Sequence, residues 1–99
     1  MKISINLREG FKNDKVTIFN KQDKLFDREN VSTRTQIGLA ELIEKEIPET
    51  NVNIKIIIES RGISGNKEID LSSTPYIGIS ITRGNNIEWK LSEAPFMYM

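Results

Sequence analysis

Apolar residues fall on every second position through much of the chain, most cleanly as Ile77, Ile79 and Ile81 and then Ile87, Trp89 and Leu91, either side of Arg83-Gly84-Asn85-Asn86. Side chains on a strand point to opposite faces in turn, so a period of two predicts sheet with one buried and one wet face. The same alternation marks Ile3, Ile5 and Leu7, after which Gly10 lets the chain turn. Val16-Thr17-Ile18-Phe19 and Lys24-Leu25-Phe26 flank the polar cluster Asn20-Lys21-Gln22-Asp23, which predicts a hairpin. Its register stays open, because both faces carry an apolar residue. Val52 to Glu59 is the most hydrophobic run, with Val52, Ile54, Ile56 and Ile58 on one face, and is expected in the middle of a sheet. Arg61-Gly62-Ile63-Ser64-Gly65-Asn66 reads as a loop, followed by a short strand around Ile69 and Leu71 and a turn at Ser72-Ser73-Thr74-Pro75.

Pairing parity narrows the last hairpin. For Ile81 and Ile87 to share a face, the numbers of opposed residues must sum to an even total, which leaves a loop of Gly84-Asn85-Asn86 or one from Thr82 to Asn86. The shorter loop is expected, with Asn86 left-handed. Residues 33–47 read two ways. As a helix, Ser32 or Thr33 caps it, Ile37, Ala40, Ile43 and Ile47 share a face, and Pro48 stops it. As strand, Ile37, Leu39, Ile43 and Ile47 share a face, and a hairpin through Pro48-Glu49-Thr50-Asn51 sets Ile47 opposite Val52, Lys45 opposite Ile54 and Ile43 opposite Ile56. That agreement of apolar faces favours strand. The expected fold is a small antiparallel β-sandwich of about seven or eight strands. The alternative is an α+β layer, with a helix at 33–47 packed on an antiparallel sheet.

With 99 residues, the chain is expected to be one domain, burying roughly 60 to 65 % of the surface its unfolded form exposes. Lys plus Arg equals Asp plus Glu at 14 each, so no overall field gathers nucleic acid or an anionic membrane. The absence of cysteine removes disulfides, thiolate catalysis and sulfur-ligated metals, and the absence of histidine removes the commonest general base and metal ligand. No apolar run approaches the roughly 20 residues that span a bilayer, and the start Met1-Lys2-Ile3-Ser4-Ile5-Asn6 alternates polarity. A cytoplasmic protein is the simplest expectation, although a domain taken from a longer secreted chain has the same composition.

Each candidate for chemistry has a plainer use. Arg61-Gly62-Ile63-Ser64-Gly65 is the nearest approach to an anion-cradling turn, through Arg61, Ser64 and exposed backbone N–H groups, but it lacks the P-loop Lys and reads first as a connector. Asp14, Asp23, Asp27 and Glu29 are interleaved with Lys15, Lys21, Lys24 and Arg28, which points to a solvated surface and not a calcium site. Glu41, Glu44 and Glu46 form no pocket that would split their pKa values for acid and base work. Arg34, Arg61 and Arg83 are not interleaved with aromatics in the way a nucleic-acid reader requires. The end of the chain is odder, since Pro95-Phe96-Met97-Tyr98-Met99 carries aromatics and methionines where a polar tail is usual. It either folds across an open end of the sandwich or anchors a partner through Phe96 and Tyr98.

These features lead to an expectation of a non-catalytic protein-binding or assembly module, including the case of a small inhibitor or immunity-type protein. Its partner, a protein or a second copy, would meet a sheet edge or the C-terminal tail. The alternative is a sandwich that binds carbohydrate or an anion through Arg61, Asn66, Arg83 and Asn85, with Trp89 or Tyr76 as an exposed platform. No cofactor, metal or catalytic residue is expected.

Overall fold

The computed structural model describes residues 1–98. Strands form where alternation is strongest: β1 (Lys2–Leu7), β2 (Asp14–Asn20), β3 (Asp23–Val31), β4 (Glu41–Glu46), β5 (Asn51–Ile58), β6 (Ile63–Asp70), β7 (Tyr76–Thr82) and β8 (Asn86–Ser92). A single turn of 3₁₀ helix, Glu59–Arg61, joins β5 to β6. The strands make two four-stranded sheets, ordered β4-β1-β7-β8 and β3-β2-β5-β6. The expected β-sandwich is therefore the fold, and no helix stands at 33–47.

The two sheets close on a core that is almost wholly isoleucine, leucine and valine. Ile3, Ile5, Leu7, Ile77 and Ile79 come from the inner strands of the first sheet, and Val16, Ile18, Ile54, Ile56 and Ile58 from those of the second; all are fully buried. β-Branched side chains suit this use, because their stiff χ1 fits a pleated surface at little entropic cost. Burying each contributes about 1.5–3 kcal/mol. β5 lies in the middle of its sheet, as its hydrophobicity predicts.

Strand pairing and loops differ in places from what the sequence predicts. β4 and β5 do not form a hairpin: β4 pairs with β1, Ile43 opposite Ile5, while β5 pairs with β2 and β6 in the other sheet. Apolar faces coincide equally well when two strands face each other across a core, so shared parity does not make β4 and β5 neighbours. Residues 33–40 are mostly turn, with the N–H groups of Ile37 and Gly38 donating to Arg34 O and a bridge between Arg34 and Leu39. Gly62, at φ 66°, takes the whole bend after Arg61, so Ile63 to Asn66 continue as strand, Ser64 opposite Ile57. Finally, β1 runs parallel to β7, so the sandwich is not entirely antiparallel.

The β7–β8 hairpin keeps the even sum, with Ile81 opposite Ile87. Thr82 pairs with Asn86, which leaves Arg83-Gly84-Asn85 as the loop, one residue earlier than expected. Gly84 (φ 86°) and Asn85 (φ 61°) take the left-handed positions, in place of Asn86.

Candidate functional site

At one end of the sandwich, the loops after β1, β5 and β7 meet on Arg61. Its Nε donates to Asp14 Oδ1 and its Nη2 to Asp14 Oδ2, both at 2.9 Å, a bidentate pairing. Nη2 also donates to Gly10 O at 2.8 Å and Nη1 to Asn85 Oδ1 at 2.9 Å. Asp14 is only 2 % exposed and accepts further from Ser60 Oγ and Lys12 N–H. Burial pushes the Asp14 pKa up, but the Arg61, Lys12 and Ser60 hydrogen bonds and the guanidinium charge together outweigh it, so the pKa lies below the ordinary value. The arrangement clamps three loops. With every guanidinium nitrogen engaged, Arg61 has no free face for an anion unless this clamp opens.

Asp14 is not the solvated acid that its interleaved lysines predict. The missed signal is parity: Asp14 shares the face of Val16 and Ile18, a core face on which a carboxylate needs a cation.

The predicted site residues separate. Arg61 and Asn85 are joined through the clamp, whereas Ser64 lies exposed on β6. Arg83 is exposed in the β7–β8 turn and lines an open groove with Arg8, Glu9, Ser80, Glu88 and Lys90. Phe96 and Tyr98 lie over the outer face of the first sheet, not over an open end of the sandwich. Phe96 comes within 3.1 Å of the point where a Cβ on Gly78 would stand, and Tyr98 donates through its hydroxyl to Asn6 Oδ1 at 2.8 Å. The Arg8 guanidinium carbon lies 4.7 Å from the Phe96 ring centroid and 5.9 Å from that of Tyr98. This cover accounts for Asn6, which is 3 % exposed although it faces away from the core. Burial raises the Tyr98 hydroxyl pKa, an effect the Arg8 charge partly offsets. Met99 lies outside the described residues.

Neither platform aromatic is fully open: Trp89 and Tyr76 are both half-buried. Trp89 packs on the core beside Gly65, and Tyr76 borders a hollow with Lys2, Ser4, Ser72 and Pro75. Among the described residues, no group of three or more His, Cys, Asp or Glu is placed to hold a metal ion. Among the described residues, no helix is long and apolar enough to cross a membrane.

A surface that the sequence reading did not single out lies along the side formed by β3 and β4. Leu42 is 49 % exposed there. Leu25 and Phe26 border one hollow beside it, and Ile37, Leu39 and Ala40 border another. The Arg28–Glu41 ion pair, at 3.1 Å, stands between the two. No family model matches this chain, and neither curated proteins nor solved structures give a match.

Proposed function

We propose that this chain is a non-catalytic protein-binding module whose partner adds an extended segment along β4. The observation that carries the reading is Leu42, a large apolar side chain exposed in mid-strand and flanked by half-buried apolar neighbours. β4 is an edge strand. Ile47 N–H donates to Met1 O and the Met1 ammonium donates back to Ile47 O, so in an alternating ladder Ile43 and Lys45 also bond to β1. Leu42, Glu44 and Glu46 then direct their N–H and C=O groups outward, free to pair with another strand. Glu41 is held by Arg28, but Glu44 and Glu46 have only exposed, weak pairs, with Lys2 at 3.1 Å and the Met1 ammonium at 4.0 Å, so basic residues of a partner segment can compete for them between its apolar ones.

A photo-crosslinking amino acid placed at Leu42, with a control at the exposed Asn66 on the opposite side, tests this in the native cell. The expected product is a discrete adduct at 42, absent at 66, that a synthetic alternating basic peptide displaces and an acidic one does not. Equal labelling at both positions, or indifference to both peptides, removes the reading.

A further inference from the structure

The other open side of the sandwich ends in β8, the edge strand of the first sheet. Ser4 and Arg8 donate their N–H groups to Pro75 O and Ile79 O, and Ile81 N–H donates to Glu9 O. The odd-numbered residues of β7 thus bond to β1, and its even-numbered ones to β8, where Gly78 opposes Lys90 and Ser80 opposes Glu88. Ile87, Trp89 and Leu91 are left with outward-directed N–H and C=O groups. Exposed edges in folded proteins are usually blunted by charged side chains, proline, a bulge or an inward-pointing charge, and the charges of β8, Glu88 and Lys90, are of opposite sign and so do not repel a second copy. β8 has no proline, its ladder with β7 runs without a register shift, and its inward side chains are Ile87, Trp89 and Leu91, all half-buried.

We propose that β8 is a self-association site: two copies join by antiparallel β8–β8 pairing about a twofold axis at Trp89, continuing the first sheet from one copy into the other. The strand is self-complementary in that register. Trp89 meets Trp89, Ile87 meets Leu91, Asn86 meets Ser92, and Glu88 meets Lys90 twice. The groups that the ladder needs are the outward ones of Ile87, Trp89 and Leu91. Moving the axis by one residue sets Glu88 against Glu88 or Lys90 against Lys90, so charge selects the register. The apolar trio gains on the inner face the cover that an edge position denies it. Gly65 of β6 lets Ile87 and Trp89 pack closely on their inner side, since a Cβ there would lie 3.3 Å from Ile87 Cδ1 and 3.6 Å from Trp89 Nε1. The tail crosses to Gly78 and Arg8 over the outer face and leaves the edge open.

Sedimentation equilibrium of the full chain over a wide concentration range, with Trp89 emission followed in parallel, tests the pairing; Trp89 is the single tryptophan. The wild type is expected to dimerise, with emission changing over the same range. Glu88→Lys or Lys90→Glu alone places like charges opposite each other twice per dimer and weakens association by about tenfold or more, while circular dichroism stays native because both side chains are exposed. Combining the two restores association to within about threefold of wild type. A chain that stays monomeric throughout overturns the proposal. A dimer indifferent to either single swap, or one that the double swap fails to rescue, also overturns it.

Discussion

At the scale of single residues, the Asp14–Arg61 clamp decides what the loop end of the molecule can do. Its folded-state pKa is depressed, so its contribution to stability is fully present above the unfolded value of about 3.9 and is lost as pH falls through the folded one. Asp14→Asn leaves the guanidinium facing a neutral amide and is expected to cost about 2–4 kcal/mol at pH 7, measured by urea unfolding. The gap between variant and wild type should begin to close as the pH falls below about 3.9, where the unfolded chain's carboxyl takes up a proton, and should be gone below the lower folded-state pKa; a gap constant with pH would mean that the loss is one of shape and not of charge. Gly10 is held as tightly. A Cβ there would lie 1.9 Å from Ile81 O, at φ 90°. Gly10→Ala is therefore expected to destabilise by at least about 2 kcal/mol and to lower the thermal midpoint, since backbone must move and a left-handed conformation must be strained. Neither role is visible in local sequence. Asp14 is recognisable as odd only through its parity with Val16 and Ile18, and the identity of its partner, 47 residues away, is a product of the fold.

At the scale of elements, alternation reveals strands but not which strands pair. β1, β2, β5, β7 and β8 are legible because an apolar residue recurs at every second place; the even sum holds, but Ile81 opposite Ile87 is the register of the longer loop, not of the preferred Gly84-Asn85-Asn86. β3 is longer than its apolar run Leu25-Phe26 suggests, because most of an edge strand faces water and carries no hydrophobic signal. The start of β6 was hidden by its glycines, of which only Gly62 makes the turn. The C-terminal segment was legible as unusual but not in its place: Phe96 and Tyr98 seal the outer face of β1 and β7, so β1 is buried on both sides through Ser4 and Asn6. Removing residues 95–99 is expected to lower unfolding free energy by about 2–3 kcal/mol, from lost apolar cover and one hydrogen bond. Tyr98→Phe should account for about 0.5–1.5 kcal/mol of that. Because the tail and β8 use different faces, the truncated chain should dimerise as the full one does; loss of dimer with stability intact would assign the tail to the partner instead.

At the scale of the whole molecule, β1–β4 and β2–β5 join distant segments, and the pairing of longest range is β1 with β7. β2–β3, β5–β6 and β7–β8 are hairpins that close locally, whereas β1 enters between β4 and β7, its Asn6 side chain reaching Ile77 O 71 positions along the chain. No periodicity in the sequence encodes this parallel pairing, since Ile5 and Ile77 carry the same apolar signal as any other core pair. Its entropic cost differs sharply, however. Closing a flexible loop of that length costs about (3/2)RT ln n, roughly 4 kcal/mol, against well under half of that for a hairpin turn. The chain should therefore fold in milliseconds to seconds, as sandwiches do, with the hairpins formed in the transition state and β1 docking after it. Ile5→Val, a loss of about 0.5–1.5 kcal/mol at a fully buried site of β1, should then appear mainly as faster unfolding, while Ile56→Val in β5 should slow refolding. Stopped-flow chevrons of the two variants distinguish the orders. If Ile5→Val instead slows refolding in proportion to its whole destabilisation, the β1–β7 ladder is itself the nucleus, and the hairpins assemble on it.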